Sequence, residues 1–259
     1  MRWLWGGLLM AAFGLGGAEA SPWNRDPGRG LTISRVGYYE ASAEGRRFEQ
    51  TTSELYAEIG VTERFMLGGK LSYAFQEIGQ EAAAPASVPV GADALSGFAE
   101  GSVFVQGQLA RWDGGAVSVM ATYGMPTETV SRLGTERAFS RDGSAGGSVL
   151  LGLGGGRTFG AFRLGYEGSL GRDADFLRSE ATMGAHLSEG VTMMVEAFDT
   201  RAVADAALGG ADYDLTQVAP SLVLRLPRRM KLQLGATLDA AGRNVDLGAG
   251  GFVALWVGE

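Results

Sequence analysis

Phe65 to Gln76 reads FMLGGKLSYAFQ, and its alternation decides the fold. Phe65, Leu67, Gly69, Leu71, Tyr73 and Phe75 share one parity; Met66, Gly68, Lys70, Ser72, Ala74 and Gln76 share the other. Successive side chains of a strand point to opposite faces, so one face here is apolar and aromatic, the other small or polar. A helix would mix the two sets around its axis, and each glycine would weaken it by about 1 kcal/mol relative to alanine.

The same period recurs along the chain. Leu55, Ala57, Ile59 and Val61 oppose Glu54, Tyr56, Glu58 and Gly60; Val103, Val105 and Leu109 oppose Glu100, Ser102, Gln106 and Gln108. Phe162, Leu164 and Tyr166 oppose Arg163, Gly165 and Glu167; Leu232, Leu234, Ala236 and Leu238 oppose Lys231, Gln233, Gly235, Thr237 and Asp239. Twelve such segments are expected, at 31–41, 51–61, 65–76, 97–110, 116–125, 147–156, 161–170, 177–187, 191–201, 214–226, 230–240 and 248–258. Most exceed the ~5–6 residues usual in soluble sheets and match the ~9–11 that carry a tilted strand across a bilayer. The first segment, LTISRVGYYEA, mixes its parities, with Arg35 beside Leu31 and Ile33, and ten or fourteen strands remain open.

The connections alternate as well. Those at 62–64, 111–115, 157–160, 188–190 and 227–229 are short, whereas 42–50, 77–96, 126–146, 171–176, 202–213 and 241–247 are longer. From a periplasmic start, every short turn falls in the periplasm and every longer loop at the cell surface, as in outer-membrane barrels. Lipid offers no partner to unpaired backbone groups, so a sheet within it must close. The expectation is an all-β, closed antiparallel transmembrane β-barrel of about twelve strands over residues 21–259. Aromatic residues agree with two interfacial girdles: Phe65, Trp112, Phe159 and Trp256 near the periplasmic ends, and Tyr38, Tyr39, Tyr73, Phe75, Phe98, Tyr123, Tyr166 and Phe198 near the outer ends.

Residues 1–20, MRWLWGGLLMAAFGLGGAEA, read as a secretory signal peptide: a positive Arg2, an apolar run, and Ala18-Glu19-Ala20 as the cleavage pattern. The run falls short of the ~20 apolar residues of a membrane anchor. The 259 residues include 42 glycines and no cysteine, at a net charge of −7. Disulfides, thiolate metal sites and thiol nucleophiles are thereby excluded, and the acidic balance speaks against nucleic acid as a partner.

Trp23-Asn24, GVTERFMLGGKLSY at 60–73 and GRNVDLGAGGFVALWV at 242–257 resemble uncharacterised proteobacterial outer-membrane barrels related to the phenol-degradation MetA-pathway transporter family. The resemblance implies a barrel for passage of small or hydrophobic compounds, and no catalytic residues. Val253, Leu255 and Val257 resemble the terminal assembly signal of such barrels, although Gly258-Glu259 stands where a phenylalanine is usual.

No catalytic, cofactor or metal site is expected. His186 is the single histidine and has no nucleophile signature beside it; Glu167-Gly168-Ser169-Leu170-Gly171 lacks the first glycine of a nucleophile elbow. GLGGGRTFG at 152–160 lacks the Lys-Ser/Thr ending of a phosphate loop; Gly152, Gly154 and Gly156 instead let an interior side chain or loop approach the wall. Asp173 and Asp175, and Asp205, Asp212 and Asp214, have no EF-hand spacing and read as solvated loop charge. The informative set is the lumen parity: Glu54, Glu58, Lys70, Glu100, Arg163, Glu167, Arg178, Glu180, Glu196, Arg225, Lys231 and Asp239. Such charges line an aqueous path and select solutes, or pair with one another and fill a structural barrel. The favoured expectation is a passive outer-membrane channel for small solutes, filtered by the loops 77–96 and 126–146. The alternative is a structural or partner-binding barrel without a pore. Outer-membrane lipid, periplasmic chaperones, the barrel-assembly machinery and a small solute are the partners expected.

Overall fold

Period-two segments with one apolar face become thirteen strands. They are β1 (Gly30–Ala43), β2 (Arg46–Gly60), β3 (Phe65–Gln80), β4 (Asp93–Trp112), β5 (Gly115–Gly124), β6 (Thr129–Ser131), β7 (Ser144–Gly155), β8 (Thr158–Ser169), β9 (Phe176–Ser188), β10 (Val191–Ala202), β11 (Asp214–Leu226), β12 (Met230–Arg243) and β13 (Gly248–Val257). The computed structural model describes residues 21–43, 46–80, 93–127, 129–131, 142–207 and 210–258. The signal peptide and parts of the two proposed filter loops lie outside the described residues.

All strands but the short β6 make up the wall, each antiparallel to both neighbours; β1 joins β13, and pairing of β3 with β4 closes the ring. The structure is thus a closed barrel of twelve wall strands. β6 pairs with β4 above the wall. Tight turns such as Asp113-Gly114 and Gly156-Arg157 gather at one end, with Gly114 (φ 77°) and Gly156 (φ 60°) in the left-handed region that glycine enters at least cost. Longer connections gather at the other end. The loop expected at 42–50 is tighter, because β1 and β2 stay paired out to Ala43 and Arg46.

The facing of β3 follows the alternation. Phe65, Leu67, Leu71, Tyr73 and Phe75 are 37–54 % exposed on the outside, whereas Met66, Lys70, Ser72, Ala74 and Gln76 are at most 7 % exposed inside. Outside, large apolar side chains recur on strand after strand, among them Leu55, Val105, Val119, Phe162, Met193, Leu222, Leu234 and Val253. A soluble sheet would cover such a belt; in a bilayer, acyl chains cover it.

The interior is layered. Near the short turns, Leu31, Ile33, Tyr56, Met66, Phe104, Met120, Leu150, Met194, Val223, Ala254 and Trp256 form one apolar cluster. Each fully buried large side chain contributes ~1.5–3 kcal/mol. At the long-loop end, Phe176, Ala211, Tyr213 and Leu215 form another. Charged and polar side chains occupy the band between. The mixed parity of β1 resolves here: Leu31, Ile33, Arg35, Tyr39 and Ala41 all point inward, while Val36 and Tyr38 face out.

Four of the aromatic residues expected in the girdles face the lumen instead. Trp256 is buried against the apolar cluster, Phe159 packs against it, and Tyr39 is buried with Phe48. Phe198 stands cross-strand from inward-facing Gln217 and Glu180. Each has the parity opposite to the outward apolar residues of its strand, such as Val36, Phe162, Val195 and Leu255, so the strand period overrides the interfacial preference of the ring.

Candidate functional site

Parity brings the charged residues of β2, β3, β4, β8 and β9 into the lumen, and register sets their partners. Glu54 and Lys70 lie near one another on β2 and β3, with Lys70 Nζ 3.7 Å from Glu54 Oε1 and 3.0 Å from Glu100 Oε2. Arg35 Nε lies 3.9 Å from Glu54 Oε2, so four side chains from adjacent strands form one chain of charge. On the facing wall, Arg163 Nη1 pairs with Glu180 Oε1 at 3.0 Å and Arg178 Nε with Glu167 Oε2 at 2.6 Å. Arg163 Nε also donates to Ser148 Oγ at 3.1 Å. Opposite charges inside a barrel neutralise each other's desolvation only where geometry is close, which favours this alternating arrangement.

Between these groups lies a cavity of about 100 Å³, with Thr127 and Asp142 in its lining toward the long-loop end. Lys70, Arg163 and Arg178 face Glu100, Asp142, Glu167 and Glu180 around it, three cations against four carboxylates. Its floor, toward the short turns, is Tyr56, Phe104 and Met120, with the Tyr56 and Phe104 rings stacked at 5.9 Å. Thr52 Oγ1, Ser72 Oγ, Thr122 Oγ1 and Thr237 Oγ1 are buried with no protein partner among the described residues. An unsatisfied buried polar group costs ~1–3 kcal/mol; of the four, Thr122 lines the cavity, where a water would satisfy it.

The remaining lumen candidates serve the structure at other levels. Glu58 accepts from Arg25 Nε and from the Tyr56 hydroxyl, both at 2.5 Å. Glu196 is fully buried beside Gln233, which also bonds Ser221 and accepts from the Trp256 indole at 3.2 Å. Asp239 accepts from the Tyr39 hydroxyl, from Gln217 Nε2 at 2.8 Å and from the Gly248 amide at 3.0 Å. Arg225 and Lys231 stand cross-strand at the short-turn end, where Lys231 lies over the Trp256 ring.

The segment before β1 was not among the expected site residues. Ser21 to Arg29 turns back over Gly60 at the rim, and Pro22 and Asn24 are buried inside the short-turn mouth. Ser118 Oγ donates to Pro22 O at 2.6 Å; Gln106 Nε2 donates to Ser21 O at 2.9 Å and to Asn24 Oδ1 at 3.1 Å. Gly152 lies flat beneath Pro22 and Trp23, where a Cβ would collide with both. The close approach expected at Gly152 is thus present, and its occupant is this segment. Gly156 serves a tight turn instead.

His186 is exposed, its Nδ1 2.9 Å from Thr192 Oγ1 and its ring near Phe159. The loop aspartates hold backbone. Asp173 accepts from the Asp142 and Ala211 amides, and Asp175 from the Ser169 amide and the Tyr166 hydroxyl. Those two bonds, the Tyr166 hydroxyl first, hold the Asp175 carboxyl below its usual range. Asp212 and Asp214 pair with Arg243. Among the described residues no three His, Asp or Glu side chains gather as a metal site.

Solved structures share this architecture at low identity. An outer membrane channel from Pseudomonas putida F1 superposes with a TM-score of 0.67 at 9 % identity, over 93 % of this chain and 99 % of its own. The NanC porin matches with a TM-score of 0.56 at 12 % identity, over 86 % of this chain and 98 % of its own. The KdgM porin matches at 0.54 and 7 % identity, over 87 % and 99 %. No family model matches the sequence, and no curated protein does. The fold is that of outer-membrane barrel channels and porins.

Proposed function

We propose that the chain is an outer-membrane channel for passive passage of small solutes. The observation that carries this is the cavity inside a closed barrel, lined by charged side chains of both signs. Removal of residues 1–20 leaves Ser21 as the first residue and places the short turns in the periplasm. Lipid covers the apolar belt, and periplasmic chaperones with the barrel-assembly machinery deliver the chain there. The stacked Tyr56–Phe104 floor and Met120 suit hydrophobic or aromatic bodies, whereas the ion-paired walls suit polar ends. That combination, with the motifs at 60–73 and 242–257, supports kinship to the phenol-degradation transporter family and a non-enzymatic role.

One observation favours the alternative of a structural barrel: the segment Ser21–Arg29 occupies the short-turn mouth. Planar-bilayer recording of the refolded chain and solute-dependent swelling of liposomes decide between the two. Discrete conductance steps and swelling support the channel. A folded barrel with neither refutes it.

A further inference from the structure

We propose that the hairpin joining β11 to β12 is a docking site for the phosphate groups of phospholipid headgroups in the leaflet at the short-turn end. The inference goes beyond passage: it concerns how the barrel meets its membrane, and it needs no open lumen.

The sequence concentrates charge there. Arg225-Leu226-Pro227-Arg228-Arg229-Met230-Lys231 carries four cations in seven residues and no carboxylate. At the turn, Arg228 (φ 62°) and Arg229 (φ 59°) both lie in the left-handed region. A Cβ is crowded there, so hairpin turns usually place glycine or asparagine at such positions. The other tight turns do so, with Gly114 and Gly156. Turn geometry therefore does not explain two consecutive arginines, whereas the charge they bring to the tip does. Arg163 and Arg178 in the lumen, and Arg47, Arg201 and Arg243 at the long-loop end, each have a carboxylate partner. Among the described residues, Arg225, Arg228 and Arg229 make no ion pair and no side-chain hydrogen bond. The neighbouring turn carries Glu189, but its hydrogen bond to β11 is a backbone one, from Arg225 N–H to Gly190 O at 2.8 Å. Arg225 also stands cross-strand from Lys231, where like charges repel. An anion at the tip relieves that repulsion.

Position names the anion. Leu222 and Leu234 pair across β11 and β12 and are 45 % and 46 % exposed in the apolar belt; Leu226 and Met230 share their parity and form the last pair before the turn. The two arginines thus stand just past the edge of the belt, at the level where headgroups replace acyl chains. A turn tip has no walls to enclose a free ion. A lipid phosphate needs none, because its acyl chains already lie against the belt. Guanidinium forks match phosphate oxygens two at a time. Each basic residue beside an anionic membrane surface strengthens attachment about fivefold, and two give about thirtyfold.

Arg228→Gly/Arg229→Gly in the chain beginning at Ser21 removes the charge and keeps the turn, since glycine enters the left-handed region freely. Arg228→Asn/Arg229→Gly does the same with a second turn sequence, and Arg228→Lys/Arg229→Lys keeps the charge. Urea titration of folding compares vesicles of phosphatidylcholine with vesicles that also contain phosphatidylglycerol, at low salt. On moving to the anionic vesicles, the folding constant of wild type should gain on that of either uncharged variant by between about fivefold and thirtyfold. The lysine variant should keep most of that gain, and high salt should shrink it. In phosphatidylcholine alone the glycine variant should be at least as stable as wild type, because the left-handed strain is gone. Equal gains in wild type and the uncharged variants overturn the proposal, as does a lysine variant that loses the gain. Inorganic phosphate added to phosphatidylcholine vesicles separates the two sources of phosphate. It should leave wild type and variants unchanged relative to one another; a gain in wild type that matches the lipid effect identifies a free-anion site and overturns docking to lipid.

Discussion

Leu71→Arg puts the facing of the wall to a quantitative test. Leu71 lies well inside β3, 43 % exposed on the outer face, cross-strand from Leu55 of β2 and Gly101 of β4. Leucine at the neighbouring outer position, Leu55, is similarly exposed. An arginine there has no carboxylate within its own surface layer and must shed its hydration into acyl chains. On the lipid face of a barrel near the bilayer midplane that costs ~2–4 kcal/mol. At ~1.4 kcal/mol per decade, the folding equilibrium falls by about 30-fold to nearly a thousandfold. The adjacent residue shows that direction, not charge, sets the cost. Lys70 points inward and has Glu54 and Glu100 as partners. The matched control is Thr122→Lys, which replaces an unpartnered hydroxyl with a charge on the cavity side. Its cost should stay near ~1 kcal/mol, the ordinary cost of a point change. Urea titration of folding into phosphatidylcholine vesicles, followed by tryptophan fluorescence, measures both. Equal stability of Leu71→Arg and wild type, or equal losses in the two variants, would refute the assignment of faces.

Three further outcomes follow from the same geometry. In single-tryptophan chains, lipids carrying a spin label should quench Trp112, which is half exposed outside, and spare Trp256, which is buried in the lumen; strong quenching of Trp256 would return it to the girdle. Arg178→Ala leaves four cavity carboxylates facing two cations, so the reversal potential in a KCl gradient should move toward cation preference, and an unchanged value would mean that ions bypass this cavity. Asp175→Asn should speed hydrogen exchange at the Ser169 amide. Because the carboxyl is held below its usual range in the folded loop, its tie is in force above the unfolded value of ~3.9 and is lost as pH falls through the lower folded value. Exchange at Ser169 in the wild type should therefore rise only in acid, and rise near neutral pH would contradict it.

The misplaced aromatics show which sequence signal outranks which. Tyr38 and Tyr39 are adjacent in a strand, so period two already forbids both from facing lipid; Tyr38 does and Tyr39 does not. Trp256 lies between Leu255 and Val257, whose outward parity assigns it to the lumen with Phe252 and Ala254. Interfacial preference is a matter of composition and is worth little against a backbone that fixes direction residue by residue. The twelve wall strands were legible for that reason, since every one repeats the same two-residue rule and closure follows from having no free edge. The ion pairs were legible only as a set of inward charges. Partnership depends on register between strands, and bulges at Ser72/Tyr73, Gln108/Ala110 and Thr216/Gln217 shift that register in ways a period cannot report. The segment Ser21–Arg29 has no period at all. Its partners Gln106, Ser118 and Gly152 lie far along the chain, and the sole local trace is an inward glycine with room above it. In a barrel, then, the wall is written locally and the contents of the lumen are not.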